Sequence, residues 1–358
     1  MVRHRGGHPG RRRPHAQPPL TPTRKLLSPA RLVLSGLFLL LLTAIVLWLV
    51  PSGDYVFLPD TARPVAPLVS VKGGKDPTGP GGIYYDAVII RRARLFEQLF
   101  PWIHEGATLV PADQVNPPGV SDTQRRREDL REMARSQDIA AAVALKYLGY
   151  KVTIRSIGAL ISDVAPGSPA AKAGLEPTDV IVGVDGKAVR TGNELRRLIG
   201  RHRPGDTVEL TLRTSGGLKK VRVGTIKGPA GRPLIGVVIV PATQVKLPIP
   251  VRIDAGSIGG PSAGLAFALD VMEELGRDVD HGYKVAATGQ LEPDGSVVPI
   301  GGVKQKAIGV RRAKVDVFLV PAGDNAKEAR KYAGPVRVIP VESFRQALRV
   351  LATLSPKP

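Results

Sequence analysis

Gly259-Gly260-Pro261-Ser262-Ala263-Gly264, followed by the apolar run Leu265-Ala266-Phe267-Ala268-Leu269, decides how the last third of this chain is read. Glycines and a proline make a tight turn, and a run that is apolar all round makes a buried helix. Ser262 then stands at the helix N-terminus, where unpaired backbone N–H groups and the helix dipole suit a developing oxyanion. Gly259, Gly260 and Gly264 let backbone and substrate come close. A serine that merely caps a helix after a glycine-rich turn has the same pattern.

A second stretch, Gly301-Gly302-Val303-Lys304-Gln305-Lys306, weighs against the plain cap. On a helix from Val303 to Ala313, at about 100° per residue, Val303, Ala307, Val310 and Ala313 share one side. Lys306 falls inside that apolar face and Lys304 falls beside Arg311 on the charged one. Burial disfavours the charged form of an amine, and a neutral amine can accept a serine proton. Snorkelling to the surface is the plainer role for such a lysine. A serine and an inward lysine suffice for a hydrolase that uses neither histidine nor metal.

The 358 residues allow two or three domains, and 43% apolar content allows a sizeable core. Eight of the 20 excess positive charges lie in residues 1–31, which hold no acid. That segment, rich in Pro, Gly and His, is expected to be a disordered tail. Leu32 to Val50 is an uncharged run that spans about 28 Å as a helix, enough for a bilayer core. Trp48 sits near its outer end. By the positive-inside rule the tail is cytoplasmic and everything after Pro51 is extracytoplasmic. The expected location is therefore the cell membrane, single-pass, with the lipid bilayer as a partner. A cleaved signal peptide is the rival reading, and a buried soluble helix a weaker one.

The chain has no cysteine, so it has no disulfide, thiolate nucleophile or cysteine metal site. No histidine pair has zinc spacing and no Gly-x-x-x-x-Gly-Lys-Ser/Thr loop occurs, so neither a metal, a cofactor nor an ATPase module is expected. A nucleic-acid partner is not expected either: the tail's charge is explained by membrane topology, and no aromatic-and-basic groove stands out.

Residues 51–82, rich in Pro and Gly, read as a linker with short extended pieces. A strand is expected at Ile83–Ile90, a short helix at Leu95–Trp102 and a long helix at 121–148, with Ser121 or Asp122 as cap and Gly149 as stop. From Ile157 to about Ile226 the pattern suggests a separate, mainly β domain: Gly158-Ala159-Leu160-Ile161, Ser168-Pro169-Ala170-Ala171-Lys172-Ala173-Gly174-Leu175, Asp179-Val180-Ile181, Asp185-Gly186-Lys187 and Arg203-Pro204-Gly205-Asp206. These pieces resemble a PDZ domain of the bacterial, circularly permuted kind, placed at 151–228. The resemblance implies that Gly158, Ala159 and Leu160 form a loop receiving a peptide's terminal carboxylate, with the peptide adding as a strand. A PDZ fold that only orders its neighbour is the alternative.

From residue 229 the pattern is mixed α/β. Gly260-Pro261-Ser262-Ala263-Gly264, Thr288-Gly289-Gln290-Leu291, Gly295 through Lys306 and Val317-Phe318-Leu319-Val320-Pro321 together resemble the proteolytic domain of Lon-type serine peptidases. The resemblance implies Ser262 as nucleophile, Lys306 as base, and Thr288 and Gly260 in support. The layout is similar to membrane-anchored, PDZ-containing Lon-like proteases of bacteria. In these an α/β protease domain carries an inserted PDZ, which would give 83–150 to the protease side. Gly259 departs from the acid many Lon enzymes carry there. The implied activity is serine endopeptidase action on extracytoplasmic peptides or proteins without an ATPase of its own. A catalytically silent PDZ scaffold is the alternative, and a homo-oligomer is compatible with either.

Overall fold

The structure, a computed structural model, describes residues 28–357 apart from 76, 78, 117–119, 215, 229 and 230. The expected disordered tail thus falls, but for its last residues, outside the described ones. Helix α1, Pro29–Leu49, is capped by the Ser28 side chain and buries none of its residues.

The stretch expected to be a linker with short extended pieces carries a full strand besides shorter ones. Strand β1, Pro51–Pro59, follows α1 directly and buries Tyr55 and Val56. The single strand expected at Ile83–Ile90 is two, β2 (Gly82–Tyr85) and β3 (Val88–Arg94). They break at Asp86-Ala87 and enter different sheets. β1 lies between β3 and β4 (Thr108–Pro111) in an antiparallel sheet. Helix α2, Leu95–Leu99, is shorter than expected, and Pro101 opens a 3-10 turn to Ile103 instead of continuing it. Helix α3, Asp122–Tyr147, has Ser121 and Gln124 in a reciprocal capping box. Gly149 lies just past its end at φ 88°. The charged first half of α3 is largely exposed, and Ile139 to Leu145 are buried.

β5 (Thr153–Val164), β6 (Val180–Val184), helix α4 (Gly192–Ile199), β7 (Thr207–Thr214), β8 (Gly217–Gly224) and β9 (Val237–Lys246) build a domain with its own core, centred on Ile161, Ile181, Leu195 and Leu210. The strand order is β8-β7-β6-β5-β9. β9 lies past the expected boundary at 228 and pairs with β5 along its whole length. That register sets Thr153 opposite Lys246, so the domain's two ends are adjacent.

The chain then returns to the first unit. Helix α5 (Gly264–Glu274) precedes β10 (Lys284–Ala287), and α6 (Val303–Arg312), β11 (Val317–Pro321), α7 (Asp324–Tyr332), β12 (Arg337–Val341) and α8 (Phe344–Leu351) follow. β2, β10, β11 and β12 lie parallel in that order, with Arg63–Pro64 antiparallel at the β2 edge. Every residue of β11 is buried, which is the mark of a parallel strand covered on both faces. Val317 and Leu319 join the core with α3 and α5, while Phe318 and Val320 join the one under α6 and α7. Since β2 belongs to this sheet, the mainly β domain is an insertion into an α/β domain. Pro250 stays outside the short strand Val251–Ile253, which pairs with Val69–Val71.

Candidate active site

Ser262 ends the turn before α5, and its neighbours show why the turn is built of small residues. Gly260 adopts φ 86° and donates its N–H to Asp129 O of α3 at 2.7 Å. A Cβ on Gly259 would stand 2.7 Å from Asp129 Cβ, and one on Gly264 2.8 Å from Ser136 Oγ. Helix α3 therefore presses on the turn from behind, and an acidic side chain at 259 has no room there. The Ser136 hydroxyl donates to Pro261 O at 3.0 Å, and Gly289 N–H donates to Ser262 O at 2.8 Å. The N–H groups of Ser262 and Ala263 donate to no acceptor among the described residues.

Lys306 comes from the first turns of α6, with the orientation that the helical spacing predicts. It is 3% exposed, and Lys304 instead points to the edge and bonds Ala107 O. The Lys306 Nζ donates to Ser262 Oγ at 3.0 Å, to Thr288 Oγ1 at 3.0 Å and to Asp86 Oδ1 at 2.6 Å, with Asp86 O at 3.3 Å. Thr288, at the end of β10, is fully buried and also donates to Ser262 O at 3.3 Å. The structure thus brings Ser262, Lys306, Thr288 and Gly260 together.

Asp86 was not among the residues expected from sequence. It is 3% exposed, pairs with Lys306, and leaves its Oδ2 without a partner. Lys306 is accordingly not an amine in a purely apolar pocket, as its helical face alone suggested. A period-2 reading could have found the acid. Ile83 and Tyr85 face the α5 core, so Tyr84 and a continued Asp86 face α6.

The dyad opens onto a cleft of about 830 Å³. Ile89 and Ile90 of β3 line it on one side, Arg125, Arg126 and Asp129 of α3 on another, and Ile300 near α6. Burial pushes the Asp129 carboxyl up, opposed by the nearby Arg125 and Arg126 guanidinium groups. None of the described histidines serves Ser262. His104 bonds Glu97, His202 bonds Asp185, and His281 lies beyond the far end of α5 beside Asp278. Among the described residues the acids Glu273, Asp278 and Asp280 are the one group close enough to share a cation. They too sit at the far end of α5, an 11-residue helix and so about 16 Å from the serine turn.

The expected carboxylate loop is not a loop. Gly158, Ala159 and Leu160 lie within β5, with β6 on one side and β9 on the other. Their backbone is committed to ladders, and a Cβ on Gly158 would stand 2.7 Å from Ile181 O. The sheet has two edges, β8 and β9. Beside β9 lies α4, close enough that a Cβ on Gly192 would stand 2.9 Å from Ile239 Cδ1. Just before β9, the N–H groups of Ile235 and Gly236 donate to no acceptor among the described residues, and Gly236 adopts φ 84°.

Residues 146–225 match the PDZ domain family, and residues 237–352 match the Lon protease (S16) C-terminal proteolytic domain. A DegP-like periplasmic serine endoprotease of Halomonas elongata is 31% identical over 198 residues, 52% of this chain and 35% of that protein. A Lon protease of Chloroflexus aggregans is 33% identical over 125 residues, 33% of this chain and 15% of that protein. The crystal structure of the PDZ domain of an SdrC-like protein from Listeria monocytogenes is 27% identical, covering 25% of this chain and 94% of that one, with a TM-score of 0.23. The chain spans about a third or less of the length of these two curated relatives. Asp86 lies outside both matched ranges, yet it contacts the dyad that the second range contains. In sequence, this chain carries a PDZ domain and a Lon-type C-terminal proteolytic domain.

Proposed function

We propose that the chain is a membrane-anchored serine endopeptidase in which Ser262 is the nucleophile and Lys306 the general base. The observation that carries this reading is the buried Lys306 Nζ at 3.0 Å from Ser262 Oγ, at the mouth of an open cleft. An ammonium donating to Ser262 Oγ cannot also accept its proton. Asp86, 2.6 Å away, takes one proton from Lys306, and the amine lone pair then accepts the hydroxyl proton as Ser262 Oγ attacks the peptide carbonyl. The C–N bond of the tetrahedral adduct breaks as Lys306 returns a proton to the leaving amine, and water then hydrolyses the acyl-enzyme by the same route. The unpaired N–H groups of Ser262 and Ala263 hold the oxyanion. Thr288 fixes the amine's direction.

In this reading α1 is the anchor and the folded part is extracytoplasmic. The PDZ domain takes an extended peptide as an added strand on β9, against α4, with the Ile235 and Gly236 N–H groups meeting its C-terminal carboxylate. The test uses wild-type chain, Ser262→Ala and Lys306→Ala, incubated with casein and a peptide library without ATP and read by mass spectrometry. Cleavage by wild type alone is expected. Peptide binding with no turnover by wild type, and no peptide-boronate label on Ser262, would instead make it a silent scaffold.

A further inference from the structure

From the end of α1 onward the chain carries a run of exposed and half-buried aromatic side chains that neither the dyad nor the PDZ domain uses. Trp48, one residue from the end of α1, meets Phe96 of α2 at a tilt of 58°, 5.8 Å between ring centroids. Phe96 meets Phe100 at 4.9 Å, and Phe100 meets Trp102 at 5.5 Å. Trp102 is 74% exposed, and its neighbours Leu99 and Ile103 are exposed as well. In an aqueous domain such a patch is costly. Here it is continuous with the lipid-facing surface of α1, and the Leu95 N–H bond to Val50 O at 3.0 Å ties α2 to the helix end. Arg94 lies 4.6 Å over the Trp48 ring, and Arg92 borders the same strand end, so the apolar step is rimmed by cations. Aromatic steps rimmed by cations at the level of a span's end match the headgroup layer of a bilayer.

The geometry points to a membrane foot: Phe96 to Ile103 seat in the interface of the bilayer that α1 crosses, and so hold the catalytic cleft at the membrane surface. The strand register supplies the height. Pro51, the second residue after α1, pairs with Arg94, and the cleft-lining Phe57 pairs with Ile90. Four to six residues of strand, at about 3.3 Å each, put the cleft only about 13–20 Å from the foot. The substrate class that fits is the extended segment next to the span of another membrane protein. This rests on the anchored-peptidase reading above.

The chain has two tryptophans, so each can be read alone. The full chain is placed in phosphatidylcholine–phosphatidylglycerol vesicles, once as Trp48→Phe, reporting Trp102, and once as Trp102→Phe, reporting Trp48. Lipid brominated near the top of its chains is expected to cut Trp102 emission to about half, with iodide in the water having little effect. Trp102 open to iodide and untouched by bromolipid, with Trp48 still quenched by bromolipid, overturns the foot and leaves the anchor standing. Bromolipid quenching of neither residue overturns both. Trp102 shielded from both quenchers in a dilution-dependent way also overturns the foot, since a second copy of the chain then covers the patch. Trp102→Glu is further expected to slow cleavage of a span-tethered reporter about tenfold, through lost local concentration, while a soluble peptide is cut as before. Equal slowing of both, or of neither, removes the placement role. If wild type cuts neither, the dyad reading fails and the quenching result still decides the foot.

Discussion

The three protons of the Lys306 ammonium are all taken, by Asp86, Ser262 and Thr288. Such a cage fixes the nitrogen, and in the proposed mechanism Asp86 takes the proton that frees the amine. Asp86→Asn keeps the shape and cannot hold that proton. It is expected to lower kcat about 100-fold, with KM within about twofold and the pH–rate profile displaced, as read in peptide kinetics. An unchanged pH profile would reduce Asp86 to a structural role. At Gly259 the expectation concerns stability. Alanine there meets Asp129 Cβ at 2.7 Å, with that residue's backbone carbon at 3.3 Å. The cost is expected at about 1–3 kcal/mol in denaturant unfolding, since a helix backbone cannot yield as a flexible side chain can.

Helix α5 joins the serine turn to a buried acidic end. Burial, then Glu274, Glu273 and Asp280, push the Asp270 carboxyl up to about 8. Burial likewise pushes Glu273 to about 7, against its backbone hydrogen bonds. Both folded values lie above those of the unfolded chain, so the folded chain holds protons the unfolded one has released. The stability these groups contribute is fully present below about pH 4 and is lost as pH rises through about 7 to 8. Thermal melting followed from pH 5 to 8.5 is expected to show a falling Tm, and Asp270→Asn to flatten much of that slope. A slope unchanged in Asp270→Asn would assign it elsewhere. On the PDZ side, α4 and β9 frame the proposed peptide groove. Gly192→Leu should fill it and weaken binding of C-terminal peptides at least about tenfold by fluorescence polarisation, leaving boronate labelling of Ser262 intact. Undiminished binding would place the peptide elsewhere.

At the scale of the whole molecule, the mainly β unit is an insertion whose ends meet, since Thr153 pairs with Lys246. It has its own core, separate from the two that enclose the α/β sheet. Replacing residues 153–246 by a short Gly/Ser linker is therefore expected to leave a cooperatively melting chain that still takes a boronate at Ser262. Loss of folding would show that β9 or its contact with α3 is needed to set the serine turn. The same topology explains why the dyad needs the chain's N-terminal part. β2 brings Asp86 into the sheet beside β10, and α3 backs the serine turn, so neither matched region closes the site without residues 51–150.

The sequence by itself determined what local chemistry can express. The apolar period of α6 turned Lys306 inward, the glycine turn put Ser262 before a buried helix, and the uncharged run over α1 marked a helix long and apolar enough to cross a membrane. Each of these depends on residues within a few positions of one another. Tertiary structure alone decided the rest. Asp86 meets Lys306 across 220 residues: alternation along β2 turns the acid toward one face, but only the fold sets Lys306 against it. The segment 51–82 looked like a linker because its prolines and glycines masked the alternation that β1 completes only against β3 and β4. The pattern starts a strand at Gly158-Ala159-Leu160, the resemblance made it a carboxylate loop, and pairing with β6 and β9 makes it an interior strand. Which edge of a sheet is free depends on the last strand added, and that strand lies some 80 residues further along the chain.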